Sequence, residues 1–198
     1  MNIVFDIGQV LLIWDPLLLY QTLIPDDNER NYWFTHIFST SWRKRSDYEL
    51  TVNENCQQLV EVHPDKQDII MKWDSEFFTM MPGPVSGAAD LVEDIQRKGH
   101  KVFAIANFAS DKYTEAKIRF PILSNLDGIL VSSDAFVRKP QPEIYNIFLN
   151  KYELNSSECI FIDDDAHNVH AAIVTGMMGI VFSSPQEIRK ILATKQIV

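Results

Sequence analysis

The chain has 198 residues, of which 46% are hydrophobic, with 12 phenylalanines, 6 tyrosines and 4 tryptophans. This composition can fill a sizeable core, and it excludes general disorder. The formal net charge of −9 argues against a protein that grips nucleic acid or an anionic membrane. The length fits one large domain, or a core domain that carries a smaller insert.

The cysteines and the N-terminus indicate the compartment. Cys56 and Cys159 lie far apart and form neither a metal-binding nor a redox motif, so both are predicted to be free thiols in a reducing environment. The first residues lack the basic stretch of a secretory leader, and Asp6 interrupts their apolar run. No later run is long enough to cross a membrane. We therefore expect a cytoplasmic protein without membrane or nucleic-acid partners, and no pattern predicts its oligomeric state.

Five short apolar segments predict five β-strands. Each segment is almost continuously hydrophobic rather than alternating, which is typical of strands covered by other elements on both faces. The predicted strands are Ile3–Phe5, Lys101–Ala106, Gly128–Ser132, Cys159–Ile162 and Gly179–Phe182.

Helical patterns follow the later strands. Two of these patterns end at Gly99 and Gly176, as expected where a helix stops at a left-handed residue. The last pattern opens with Ser184, a proline and a glutamate, which are typical of an N-cap, a first-turn proline and a capping box. Alternating strands and helices predict a parallel sheet with right-handed crossovers. The predicted helices are Pro84–Lys98, Pro142–Lys151, Ala166–Thr175 and one that begins after Ser184.

Residues 16–81 show no strand pattern. Helical patterns cover Leu17–Leu23 and Glu29–Phe38, and two more open at the capping box Thr51…Glu54 and at Pro64. We predict an α/β fold with a doubly wound parallel sheet, in which residues 1–15 and 82–198 form the core. A small all-helical cap of residues 16–81 is inserted after the first strand, with a return hinge at Met80–Pro84.

Polar residues follow the predicted strands at the points where ligands bind in open parallel sheets. They are Asp6 after the first strand, Asn107 after the second, Ser132–Asp134 after the third and Asp163–Asp165 after the fourth. Lys139 lies in the loop before the next helix. Carboxylates from two strands together with a lysine suit a hard divalent cation and a phosphate group.

Four motifs in this order resemble those of the haloacid dehalogenase superfamily over essentially the whole chain. The order, together with the helical insert, makes the resemblance specific, whereas a lone DxGxV motif would be weak. The motifs are FDIGQVLL (Phe5–Leu12), FAIAN (Phe103–Asn107), RKPQPEIY (Arg138–Tyr145) and FIDDDAHNVHAAIVTGMMGIVF (Phe161–Phe182).

The resemblance implies a chemistry for the residues that match these motifs. Asp6 would be the covalent nucleophile, forming an aspartyl-phosphate that water then clears. Mg²⁺ would be the cofactor, held by Asp6, Asp164 and the backbone carbonyl of Gly8. Lys139 would pair with Asp6 and the phosphoryl group. Backbone amides around Asn107, together with its side chain, would bind the phosphate.

The supporting residues implied by the same resemblance are Asp163, Asn168 and Ala106. Asn168 matches a position that supports metal-bound water in relatives. Asp163 stands where relatives often carry glycine. Asp165 could equally be the N-cap of the next helix.

Two positions depart from the pattern of efficient phosphatases in this superfamily. Gly8 replaces an aspartate that protonates the leaving group and later activates water. Ala106 replaces a serine or threonine that contacts the phosphate. A branch of the superfamily with glycine at the first position includes sugar-phosphate phosphatases. Both changes predict a slow or unusual enzyme.

The predicted function is Mg²⁺-dependent hydrolysis of a small phosphorylated metabolite, with a sugar phosphate preferred, because a cap would enclose the site. One alternative is a degenerate member that binds a ligand or a protein without turnover, which Gly8 and Ala106 favour. A second is metal-free haloacid dehalogenation, which Asp164 opposes, since that reaction needs no acidic metal site.

Two further clusters have ordinary explanations. Arg43, Lys44 and Arg45 are predicted to form a solvated face of the cap, with contact between one of them and an anionic substrate as the alternative. His167 and His170 are predicted to face outward from a helix, with a transition-metal site as the alternative.

Overall fold

The computed structural model describes all residues from Met1 to Val198 and contains one five-stranded, all-parallel sheet. The strand order is β3-β2-β1-β4-β5, so the chain winds outward from β1 in both directions. All five predicted strands are confirmed within two residues of their expected bounds. The strands are β1 (Asn2–Phe5), β2 (Lys101–Ala106), β3 (Gly128–Val131), β4 (Cys159–Asp163) and β5 (Met178–Val181).

Both faces of the sheet are buried, which confirms the doubly wound α/β prediction. Val4 and Phe103 point into one apolar cluster, which contains Phe148. Ile3 and Phe5 point into a second, larger cluster on the opposite face. Because successive strand residues face opposite sides, this packing requires the continuous hydrophobic runs seen in the sequence.

Between residues 17 and 79 all regular secondary structure is helical, and short turns and loops join the helices. The helices are α1 (Leu17–Leu23), α2 (Asp27–Tyr32), α3 (Thr40–Arg45), α4 (Val52–Val62), α5 (Gln67–Ile70) and α6 (Lys72–Ser75). A π-helical turn over Trp33–Ile37 follows α2 directly, and 3₁₀ turns cover Pro64–Lys66 and Phe77–Thr79. The helical content predicted for this segment is therefore present, in shorter pieces than the patterns indicated.

The remaining helices pack around the sheet, and a third 3₁₀ turn covers Ser156–Glu158. These helices are α7 (Ala88–Arg97), α8 (Ser110–Arg119), α9 (Pro121–Ser124), α10 (Ser132–Ala135), α11 (Pro142–Lys151), α12 (Ala166–Val174) and α13 (Pro185–Thr194). No bounds were predicted for α8, α9 or α10. Helix α8 buries only Ala116, so its sequence lacks the apolar stripe that would have revealed it.

Local signals explain where several helices begin. Thr51 Oγ1 accepts from the Glu54 N–H, and the Glu54 carboxylate accepts from the Thr51 N–H, which completes the predicted capping box. At α13 only half of the expected box forms, because the Glu187 carboxylate pairs with Lys190. Helix α7 begins four residues later than predicted, since Gly87 adopts a left-handed conformation (φ 86°) just before it.

Aromatic packing holds the helical segment together. The ring of Phe38 lies 4.8–5.3 Å, centroid to centroid, from the rings of Tyr20, Trp33, Trp42 and Trp73. These side chains belong to the same apolar cluster as one face of the sheet. The division of the chain into a core and a cap remains a prediction.

Two buried or half-buried ion pairs join the helical segment to the sheet part of the chain. Lys112 Nζ lies 2.6 Å from Asp74 Oδ1, and Arg138 Nη2 lies 2.8 Å from Asp47 Oδ2. Together with the apolar cluster that both parts share, these ion pairs hold the helical segment against the sheet part of the chain.

None of the helices is long and apolar enough to span a membrane.

The aromatic cluster leads to a stability prediction. Phe38→Ala should lower the free energy of unfolding by about 3–5 kcal/mol, because it leaves a cavity among four rings. The matched control is Phe136→Ala, since Phe136 is 80% exposed; it should change stability by less than about 0.5 kcal/mol. Urea denaturation measures both, and equal effects of the two variants would contradict the packing described.

Candidate active site

Three carboxylates meet at the carboxyl edge of the sheet, where two neighbouring strands end. Asp6 follows β1, and its N–H donates to the Ile162 carbonyl at 2.8 Å. Asp163 is the last residue of β4, and Asp164 comes next. One carboxylate oxygen of each aspartate lies within 4.8 Å of the other two. The structure therefore brings together the acidic residues that the sequence placed at these strand ends.

Lys139 lies between two of these aspartates. Its Nζ is 2.6 Å from Asp6 Oδ1 and 2.7 Å from Asp163 Oδ2, and its side chain is only 1% exposed. A buried ammonium is costly unless it is paired and hydrogen-bonded. The two carboxylates satisfy that requirement, and in return Lys139 offsets their mutual repulsion.

Asn107 positions the Lys139 backbone rather than projecting a free amide into the site. The Lys139 N–H donates to Asn107 Oδ1 at 2.8 Å, and Asn107 Nδ2 donates to the Lys139 carbonyl at 3.1 Å. These two hydrogen bonds link the end of β2 to the loop that carries Lys139. The Asn107 side chain is therefore engaged within the protein.

Asp163 is fully buried and organises its surroundings. Its Oδ1 accepts from the Asp165 N–H at 2.8 Å and from Asn168 Nδ2 at 3.0 Å, while Oδ2 accepts from Lys139. The lone pairs of this carboxylate are thus directed at protein donors. Asp163 holds the lysine and the loop in place, and Asp164, which is exposed, extends into the open space beyond.

The buried charges influence one another's ionisation. Burial raises the pKa of Asp6, and the nearby Lys139 ammonium opposes that rise. Burial by itself lowers the pKa of Lys139, but the charges of Asp6 and Asp163 outweigh it and raise the pKa overall. The ion pair with Lys139 therefore limits this rise, and the pKa of Asp6 is about 7.

A cavity of about 350 Å³ opens above these residues. Its floor comes from the sheet edge, its far wall from α3 and the loop that follows, and its sides from aromatic rings. The floor includes Asp6, Gly8, Asn107, Lys139, Asp164 and Asn168; the far wall includes Thr40, Arg43, Lys44, Ser46 and Asp47; the rings are Trp14, Trp73, Phe77 and Phe108.

Asp47 joins the far wall to the lysine loop, a role that the sequence did not reveal. Its carboxylate pairs with Arg138 at 2.8 Å, and its backbone carbonyl accepts from Ser132 Oγ. Burial raises the pKa of Asp47 to about 6, against the lowering effect of Arg138. The signal available in the sequence was Arg138 itself, which directly precedes Lys139 in the third motif.

Other predicted residues lie outside the cavity. Ala106 is buried and does not line it. Asp165 is the N-cap of α12, because its Oδ1 accepts from the His167 N–H at 2.8 Å. His167 and His170 are both exposed, as predicted for outward-facing helix residues.

The carboxylates offer a donor set suited to a hard cation. Asp163 is committed to protein donors, whereas Asp6 and Asp164 both line the cavity beside Gly8. Two carboxylates and a backbone carbonyl are the oxygen ligands that Mg²⁺ prefers, with water completing its octahedron. The residues present therefore fit this ion.

The burial of Asp163 leads to a second prediction. Asp163→Asn should lower the free energy of unfolding by roughly 3 kcal/mol, because it removes one of two charges that stabilise the buried Lys139 ammonium. Asp165→Asn is the matched control, since Asp165 is an exposed N-cap and asparagine caps helices equally well. Chemical denaturation compares the two; an unaffected Asp163→Asn protein would show that Lys139 does not depend on this partner.

A sequence profile of haloacid dehalogenase-like hydrolases matches residues 36–182, about three quarters of the chain. The matched segment begins after Asp6, so the first of the four motifs, Phe5–Leu12, lies outside it. It includes Lys139 and the three consecutive aspartates.

Two characterised relatives are similar in sequence. The sesquiterpene phosphatase astK of Aspergillus oryzae is 24% identical over 178 residues, covering 89% of this chain and 87% of that protein. Flavin mononucleotide hydrolase 1 of Arabidopsis thaliana, a protein named as chloroplast-located, is 28% identical over 109 residues. That match covers 55% of this chain and 44% of the relative, so it spans less than half of the plant protein.

Solved structures share the fold. A HAD family enzyme from Bacteroides thetaiotaomicron, crystallised with magnesium and inorganic phosphate, superposes with a TM-score of 0.71 at 17% identity, covering 92% of this chain and 94% of that one. An L-2-haloacid dehalogenase from Xanthobacter autotrophicus, with chloropropionic acid covalently bound, gives a TM-score of 0.67 at 15% identity, covering 100% and 84%. At these identities the likeness establishes the fold alone. The profile match covers well over half of the chain, and the aspartates and the lysine lie together at the sheet edge. The chain therefore belongs to the haloacid dehalogenase-like hydrolase family.

Proposed function

We propose that this chain is a Mg²⁺-dependent phosphatase that hydrolyses small phosphorylated metabolites through an aspartyl-phosphate on Asp6. The observation that carries the proposal is the Lys139 ammonium, buried between Asp6 and Asp163 at the floor of the cavity. The names of the two sequence relatives, a sesquiterpene phosphatase and a flavin mononucleotide hydrolase, support phosphate esters as the substrate class.

In the first step the Asp6 carboxylate attacks the phosphorus atom of the ester. A bond forms between Asp6 and phosphorus, and the bond from phosphorus to the ester oxygen breaks. Lys139 stabilises the negative charge that builds on the phosphoryl oxygens, because its ammonium is fixed beside Asp6 before the reaction begins. The departing oxygen takes a proton from water.

Asp6, Asp164 and the Gly8 carbonyl would hold the metal ion. When bound, Mg²⁺ would reduce the repulsion between the carboxylate and the anionic ester and polarise the phosphoryl group. Asp163 has a different task, since its hydrogen bonds fix Lys139 and the loop that carries Asp164. Asp164 would therefore bind the metal ion, whereas the adjacent Asp163 positions Lys139 and the loop.

Backbone amides take the place of the missing hydroxyl at Ala106. The Asn107 N–H has no hydrogen-bond partner within the protein, whereas the Phe108 N–H donates to Ser132 Oγ at 3.0 Å. Helix α8 begins just beyond, and its N-terminus has no side-chain cap. Free N–H groups at a helix start bind phosphate oxygens. We assign phosphate binding to the Asn107 N–H, to the first N–H groups of α8 and to Lys139.

In the second step water attacks phosphorus in the aspartyl-phosphate. The bond from phosphorus to Asp6 breaks, inorganic phosphate leaves, and the Asp6 carboxylate is restored. Gly8 has no carboxylate that could activate this water or protonate a leaving group. Esters whose leaving oxygen is already weakly basic should therefore react fastest.

The cavity limits the substrate class. A space of about 350 Å³, partly covered by α3, suits a small ester better than a phosphorylated protein. A sugar phosphate is the first candidate. The four aromatic rings in the lining favour an ester with an apolar or flat body as the second candidate, which also agrees with the names of the two relatives.

The central experiment compares the protein with its Asp6→Asn variant. We expect phosphate release from a panel of sugar, aryl and isoprenoid phosphates that requires Mg²⁺ and falls at least about 1,000-fold in the variant, since asparagine is not a nucleophile. Asp68→Asn is the matched control, because Asp68 is exposed and forms no ion pair. It should retain full activity.

Circular dichroism should show that the Asp6→Asn variant is folded. Phosphate release by the folded variant at the wild-type rate would contradict the nucleophile assignment. Absence of release from every ester by the wild type would favour a binding role, and halide release from a haloacid without metal would favour dehalogenation.

The glycine at position 8 leads to a gain-of-function prediction. A Cβ added at Gly8 would meet only Trp14 Cβ, at 3.9 Å, so a side chain fits there. Gly8→Asp should raise kcat for alkyl phosphates by roughly 100-fold, because it supplies the missing general acid and base. Gly8→Asn is the control of equal size without a transferable proton. If both variants behave alike, the slow step does not involve proton transfer at this position.

A further inference from the structure

Arg43 differs from every other arginine in the protein. Six of the seven arginines form salt bridges with a carboxylate, and Arg43 forms none. The paired arginines are Arg30, Arg45, Arg97, Arg119, Arg138 and Arg189. In a chain with nine more acidic than basic residues, one arginine without a carboxylate requires an explanation.

The unpaired guanidinium lines the same cavity as Asp6. Arg43 lies in α3, is half-buried, and donates from Nη2 to Thr40 Oγ1 at 3.2 Å. Burial lowers the pKa of Arg43, which reflects the cost of removing its charge from water. The Thr40 hydroxyl accepts from one N–H of the guanidinium but does not compensate its positive charge. An anion in the cavity would compensate that charge and accept from the remaining N–H groups.

The other buried cations near the cavity are already committed. Lys139 is held by Asp6 and Asp163, and Arg138 is held by Asp47. An additional anionic group on a ligand would therefore find its free partner at Arg43, on the wall formed by α3. Lys44, the next residue, is exposed, lines the cavity and also lacks a carboxylate partner, so it adds to the positive charge there.

We propose that Arg43 forms a second anion-binding subsite, so the substrate is a phosphate monoester whose leaving group carries another anionic group. A carboxylate or a second phosphate would meet the guanidinium through paired N–H···O hydrogen bonds. This inference rests on the proposed phosphatase function, since it names the substrate class of the same site. It makes the helical segment the determinant of specificity, through a charge that the protein itself leaves unpaired.

The test uses three esters of one alkyl chain, each with a phosphate at one end. The other end carries a hydroxyl, a carboxylate or a second phosphate. The wild type should prefer the two anionic esters over the hydroxyl ester in kcat/KM. In Arg43→Ala that preference should fall roughly 10- to 100-fold, mainly through KM, as expected for the loss of a charge-assisted hydrogen bond.

Arg45→Ala is the matched control. It removes the same charge from the same helix, but Arg45 pairs with Glu49 and does not line the cavity. This variant should keep the wild-type preference, and Arg43→Lys should recover part of it. Equal preference for all three esters in the wild type would overturn the subsite, as would an equal loss of preference in both alanine variants. A difference between the carboxylate and bisphosphate esters identifies which anion is bound.

A binding measurement separates the subsite from the chemistry. Calorimetry with the Asp6→Asn variant and Mg²⁺ should show tighter binding of the two anionic esters, and adding Arg43→Ala should abolish the difference. If this discrimination appears while the wild type hydrolyses none of the esters, the hydrolase proposal fails and the subsite stands. If hydrolysis depends on Asp6 but binding does not discriminate, the subsite fails and the hydrolase proposal stands.

Discussion

The site depends on one buried ammonium. Lys139 is almost completely excluded from water, and it is stable there because Asp6 and Asp163 lie 2.6 and 2.7 Å away. Asp6 follows β1, Asp163 ends β4, and Lys139 lies in the loop before α11. The ion pairs therefore also hold these three segments together. Removing one member would leave a buried charge uncompensated, which proteins tolerate poorly. Stability and the proposed chemistry are therefore linked at the same three side chains.

The fold around this triad determines what else the site can do. The end of β2 contributes Asn107, which fixes the Lys139 backbone, and α3 places Arg43 in the lining of the same cavity as Asp6 and Asp164. The Asp47–Arg138 pair ties the end of α3 to the residue just before Lys139. That contact joins the helical segment to the loop that carries Lys139.

Much of this arrangement follows from the sequence, because it depends on chain order and strand ends. Continuous apolar runs located the five strands, and a parallel sheet necessarily brings Asp6 and Asp163 to one edge. What the sequence could not show depends on contacts between distant segments. The Asp47–Arg138 pair spans 91 positions, α8 lacks an apolar stripe, and the Asn107 side chain hydrogen-bonds the Lys139 backbone. Arg43 differs from the other arginines through their ion pairs, which the sequence does not show.

The most direct test of the central claim is mass spectrometry of the protein quenched in acid during turnover of a phosphate ester. Gly8 supplies no base to activate water, so the covalent intermediate should persist long enough to be captured. We expect one phosphoryl group on the peptide that contains Asp6, removable by hydroxylamine as an acyl phosphate is. Turnover of the ester with Asp6 unmodified, or with phosphate on another residue, would contradict the assignment of Asp6 as the nucleophile.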